Sequence, residues 1–112
     1  MKKYLCTLYL LPALLLALPL TSAIAEDVIV GDDDPNAQVT PVTLRWFQNP
    51  EPDIAGYNVY YGKVSDNYTR VMTVSTTTAT IIVRGSQTVY FAVTAFDTSG
   101  AESQFSEEVH FP

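Results

Sequence analysis

The sequence predicts an all-β sandwich of about seven short antiparallel strands, and three observations lead to it. Across residues 42–109, aromatic and aliphatic side chains recur at every second position, the period of strands with one buried face. The runs are short and separated by clusters of Pro, Gly, Asn and Asp, the residues that close turns. No stretch beyond residue 25 carries a helical period, an internal repeat or a heptad.

The chain opens on an address rather than on structure. Lys2 and Lys3 give a positive start, residues 5–20 an apolar run, and Ala23-Ile24-Ala25 a small-residue cleavage site before Glu26. Together these read as a signal peptide over residues 1–25. An uncleaved membrane anchor is the competing reading, since residues 4–25 contain no charge and are long enough to span a bilayer. Pro12, Pro19 and the Ala-Ile-Ala ending favour cleavage. Cys6 lies at the wrong end of the apolar run for lipid attachment and leaves with the leader.

Cleavage after Ala25 leaves residues 26–112, an 87-residue single domain, large enough for one core. It contains no cysteine, so apolar burial, worth roughly 25 cal/mol per Å², must hold it together. The absence of disulfides points to a bacterial exported protein rather than an animal one. Four bases, Arg45, Lys63, Arg70 and Arg84, face all twelve acids, a formal charge of −8. That balance excludes nucleic acid, which needs a basic stripe, and disfavours an anionic membrane surface.

Each element follows in turn. Residues 26–40 are acidic and turn-rich around Asp32-Asp33-Asp34-Pro35-Asn36, a flexible lead-in whose Val28-Ile29-Val30 has the composition of a short strand. Pro41 suits the start of a first or edge strand. Residues 42–47 alternate as the first strong strand, which Asn49-Pro50-Glu51-Pro52-Asp53 stops. Residues 57–61 form the next, between Gly56 and Gly62, and residues 68–74 another after Ser65-Asp66-Asn67. Residues 77–83 are β-branched, although Ile81 and Ile82 do not both suit one face. Val89, Phe91, Val93 and Ala95 line one face of a strand ending at Asp97, and residues 105–111 supply the last.

Strands of this number and spacing indicate an immunoglobulin-like sandwich, and particular residues go further. Leu44-Arg45-Trp46 followed by Pro52-Asp53-Ile54-Ala55-Gly56-Tyr57-Asn58-Val59-Tyr60-Tyr61-Gly62 resembles the second and third strands of fibronectin type III domains. Tyr90-Phe91-Ala92-Val93-Thr94-Ala95 and the following Asp97-Thr98-Ser99-Gly100 resemble the sixth strand and final hairpin, in the manner of bacterial exported members. The resemblance spans residues 41–111. It implies a non-catalytic module with fibronectin type III topology, and it departs from the family in two respects: the register of residues 77–83 is open by one residue, and the corner before the sixth strand is altered, with Val83-Arg84-Gly85 in place of the family's Leu-x-Pro. Val89 stands where the family carries its corner tyrosine. Trp46 is the expected core anchor, packed among Tyr57, Val59, Tyr61, Phe91 and Val93.

Residues for chemistry are scarce. His110 is the only histidine and falls near the end of a strand, with no nucleophile and orienting acid grouped around it. Ser86, Ser99, Ser103 and Ser106 occupy turn or strand-end positions. Glu51 with Asp53, and Glu107 with Glu108, are acid pairs, but the first lies on a Pro-rich loop and the second alternates faces of one strand. Neither makes the facing pair of a glycosidase. Asp32-Asp33-Asp34 has oxygen ligands for calcium but not the interleaved spacing of a calcium loop. No catalytic residue, cofactor or metal site is expected. Arg84-Gly85-Ser86 lacks the carboxylate of an adhesion tripeptide, and Asn67-Tyr68-Thr69 is a formal glycosylation sequon.

The surface offers more. By alternation Tyr60, Tyr90 and Phe96 point outward from neighbouring strands, either as a face for a partner or as cross-strand pairs that shield the sheet. The expected function is therefore an exported interaction module, monomeric, in the periplasm, at the cell surface or outside the cell. It would bind a protein or polysaccharide and would not insert in the membrane once the leader is gone. The alternative is a structural spacer or assembly subunit whose sheet edge pairs with another chain.

Overall fold

The computed structural model describes the backbone of Leu8–Leu11 and all of residues 29–112. Residues 1–7 and 12–28, including Lys2, Lys3, Cys6 and the expected cleavage site at Ala23-Ile24-Ala25, lie outside the described residues. The strands are β1 (Leu8–Leu11), β2 (Ile29–Gly31), β3 (Val39–Trp46), β4 (Ile54–Gly62), β5 (Arg70–Val74), β6 (Thr78–Arg84), β7 (Val89–Asp97) and β8 (Val109–Phe111). They form two four-stranded sheets, ordered β1-β3-β6-β2 and β5-β4-β7-β8. No helix long and apolar enough to cross a membrane occurs among the described residues.

The fold is an all-β sandwich because the inner positions of both sheets are apolar and nothing else is available to cover them. Val42, Leu44 and Trp46 of β3 and Ala79, Ile81 and Val83 of β6 face Tyr57, Val59 and Tyr61 of β4 and Val89, Phe91, Val93 and Ala95 of β7 in one buried cluster. Trp46 meets Tyr57 edge to face, with ring centroids 5.4 Å apart, and Tyr61 stacks on Phe91 at 6.4 Å. Where the corner tyrosine is missing, Val89 is fully buried. Tyr57 ties a loop instead, its hydroxyl accepting the Asn49 N–H at 3.0 Å.

Two elements differ from the pattern of alternation. Ile82 is buried although Ile81 and Val83 face the core, because the outer side of β6 is flanked by Pro41 of β3 and Ile29 of β2 in register. β2 itself reaches into the segment expected to be flexible, and Val30 joins the core cluster. Gly31 permits this docking. Its φ is 120°, and a Cβ there would collide with the Arg84 carbonyl oxygen.

The last strand is shorter than expected, Val109–Phe111 rather than residues 105–111. Its forerunner still follows β7, with Ser103 N–H bonded to Ala95 O at 2.7 Å and Ser106 N–H to Val93 O at 2.8 Å. Three residues therefore oppose two, which is the count of a bulge. The hydroxyls of Ser103 and Ser106 complete it by accepting the Ala95 and Val93 N–H groups, both at 2.9 Å.

Trp46→Ala should lower the unfolding free energy by about 3–5 kcal/mol, much of what a domain this small possesses. Trp46→Phe should cost less, because it keeps a ring and removes an indole N–H that is buried without a partner. Urea melts followed by circular dichroism check the order; an Ala variant that melts with the wild type refutes the anchor.

Candidate surface site on the outer sheet

The outer face of the β5-β4-β7-β8 sheet carries the side chains that alternate away from the core. In β4 these are Asn58 and Tyr60, and in β7 Tyr90, Ala92, Thr94 and Phe96. The three aromatics expected to share a face stand at different register positions along it. Tyr60 lies opposite Ala92, Tyr90 opposite Gly62, and Phe96 opposite Gly56. Phe96 covers Gly56, where a Cβ would come within 2.7 Å of its Cζ. Tyr90 packs against His110 with centroids 6.0 Å apart.

Tyr60 instead forms a cluster with two rings that alternation did not single out. It meets Phe105 edge to face at 5.0 Å and Tyr68 at 6.3 Å, while Tyr68 and Phe105 are 5.5 Å apart. Val71 lies opposite Tyr60 in the β4–β5 register and is 54% exposed; Phe105 is 47% exposed. The result is a small, partly exposed cluster of rings, or knob, on the outer sheet face. The bulge at Ser103 and Ser106 explains why period-two reading missed Phe105, because the extra residue breaks the alternation. Tyr68 was expected to open the strand over residues 68–74, but β5 begins only at Arg70, so the period of that strand does not place its ring.

Two carboxylates hold the knob from either side. Glu102 accepts hydrogen bonds from the Tyr60 hydroxyl at 2.7 Å and the Thr94 hydroxyl at 2.6 Å. Glu108 accepts from the hydroxyls of Ser65 and Tyr68, both at 2.6 Å, and from the Asp66 N–H at 2.8 Å. Partial burial pushes both carboxyls up, but the donors outweigh it and leave each below its ordinary value. Burial first, then the facing carboxylates, push the Tyr60 and Tyr68 hydroxyls above their usual range. These acids are braces. Their oxygens are occupied in positioning tyrosines rather than aimed at a cleft.

The other candidate groups stay apart. Glu51 is buried while Asp53 is exposed, and the Glu51 carboxylate lies 3.5 Å from Asn49 Nδ2. Asp32 and Asp34 each accept a backbone N–H two residues ahead, at 2.9 Å, and so cap their own turns. No group of three metal-ligating side chains occurs among the described residues. Lys63, Arg70 and Arg84 line a cleft of about 540 Å³ near β2, but Asp32 and Asp33 share it, so its charge is mixed.

No family model matches the sequence, and no curated protein does. Solved structures do. A Fn3-like protein from Clostridium thermocellum superposes with a TM-score of 0.55 at 26% identity, covering 75% of this chain and 82% of the other. The third fibronectin III domain of human KIAA0343 gives 0.51 at 19% identity over 81% and 87% of the two chains. A myokine structure gives 0.54 at 18% identity over 68% and 89%.

The chain has a fibronectin type III fold.

In this fibronectin type III scaffold the residues expected as core, Trp46, Tyr57, Val59, Tyr61, Phe91 and Val93, all lie in the buried cluster. The fold is generally non-enzymatic and commonly serves as an interaction or spacer module. Function is then decided by what its surfaces carry.

The lowered carboxyl of Glu108 has a signed consequence. Its stabilisation is complete above the ordinary glutamate value of 4.5 and is lost as pH falls through the depressed folded value. Glu108→Gln should therefore be less stable than wild type at pH 7, and the gap should close as the medium is acidified below 4.5. Urea midpoints measured across that range test this; a gap independent of pH refutes the bracing role.

Proposed function

We propose that this protein is an exported, non-catalytic interaction module that docks another protein through the knob formed by Phe105, Tyr60, Tyr68 and Val71. The observation that carries the reading is the exposure of Phe105 on a ring cluster whose geometry is fixed by Glu102 and Glu108. A solvated ring held in place forfeits little conformational entropy on binding, and aromatic anchors dominate protein interfaces. The rings meet edge to face or tilted. They make a rounded contact rather than the flat platform that sugar rings stack on, which favours a protein over a polysaccharide.

Export rests on the leader at residues 1–25, with its Lys2-Lys3 start and Ala-Ile-Ala ending. The strongly acidic mature chain suits a soluble module of the periplasm, cell surface or medium.

Phe105→Ser should weaken capture of the partner from a native envelope extract by about tenfold or more, the effect of losing one anchoring side chain. The circular dichroism melt should move by only a few degrees, since Phe105 is half exposed. Sedimentation with purified peptidoglycan and cellulose forms the second arm. Retention by a polysaccharide that Phe105→Ser abolishes would reassign the partner class, and capture unaffected by Phe105→Ser would refute the site.

A further inference from the structure

The two edges of the first sheet are covered by segments of different origin. At one edge β2 pairs in parallel with β6, Ile29 with Ile82, Val30 with Val83 and Gly31 with Arg84. This covering strand lies beyond the expected cleavage point. At the other edge β3 is covered over residues 43–46 by β1, antiparallel, with Leu8 opposite Trp46, Tyr9 opposite Arg45, Leu10 opposite Leu44 and Leu11 opposite Thr43. This covering strand belongs to the leader.

Removal of residues 1–25 would leave the β3 edge open. The strands between Ile29 and Phe111 are committed elsewhere: β2 to β6, and β4, β5, β7 and β8 to the second sheet. An open edge presents unpaired N–H and C=O groups to any extended chain. This edge also has an apolar rim, since Leu44 and Trp46 point into the core and leucine occupies both register positions opposite them.

We propose that residues 43–46 of β3 form a strand-acceptor site, which the leader occupies before cleavage. Afterwards an antiparallel segment of a second protein takes it, one carrying aliphatic residues at two alternate positions. The register of β1 dictates this occupant. Leucine stands at the register positions opposite Leu44 and Trp46, and tyrosine and leucine at those opposite Arg45 and Thr43. Pro41 bounds the ladder, having no N–H to donate. The site is separate from the Phe105 knob, which lies on the other sheet, and it shares with the proposed function only the removal of residues 1–25, so loss of one binding site leaves the other standing.

The test uses the exported protein, checked by mass to begin at Glu26, and a synthetic peptide of residues 6–13 carrying Cys6→Ser. The control peptide adds Leu8→Asp and Leu10→Asp. The first peptide should slow amide hydrogen exchange across residues 43–46 by about tenfold or more and raise the melting temperature with peptide concentration. The control should do neither. Exchange unchanged by the first peptide overturns the proposal. So does edge protection that rises with protein concentration alone, which would assign the edge to a second copy. A purified exported protein that retains Leu8–Leu11 also overturns it, since its edge is permanently filled.

Discussion

Two sheets without a covalent tie must be held by what lies between them, and the edge-to-face contact of Trp46 with Tyr57 sets how they meet. Trp46 ends β3 and Tyr57 lies in β4 of the opposite sheet, so this one contact joins the layers where the chain crosses between them. Tyr57 also pins that crossing through the Asn49 N–H. Leu44, Ile81, Val59 and Phe91 fill the space beyond, each fully buried. Because the chain has a single cysteine and so no internal disulfide, the free energy of this apolar burial has to offset the chain entropy without a covalent tie.

The outer face of the second sheet follows from that inner packing. Alternation that buries Val59 and Tyr61 necessarily turns Tyr60 outward, and burying Phe91, Val93 and Ala95 turns Thr94 outward. Thr94 and Tyr60 then converge on one Glu102 oxygen. The bulge held by Ser103 and Ser106 brings Phe105 back over Tyr60. Core, bulge and knob are therefore successive consequences of one register. The carboxylates nearest the rings are spent on hydrogen bonds within the face.

The two sheets present different kinds of surface. One offers side chains, a knob of rings between two carboxylate braces. The other would offer backbone if residues 1–25 were removed, at the β3 edge that β1 covers. Side-chain surfaces select a partner by shape and chemistry, whereas edges select by extension and alternation. A small domain carrying both is suited to assembly, with one contact independent of the other.

By itself the sequence determined the class of fold, because period-two alternation and turn residues are local properties that a strand imposes on its own side chains. Trp46, Tyr57, Val59, Tyr61, Phe91 and Val93 were legible as core for the same reason, as was the placing of Tyr60, Tyr90 and Phe96 on outward positions. Only the tertiary structure decided which outward rings meet. Tyr60 meets Tyr68 and Phe105 through chain geometry that no local period encodes: a hydroxyl-to-carboxylate bond to Glu102, 42 residues away, and another from Tyr68 to Glu108, 40 residues away. The parallel docking of β2 on β6, with Gly31 against Arg84, likewise depends on a close approach between distant segments. Periodicity fixes the face a residue occupies; what it touches there is set by strand order and by the bulge that shifts it.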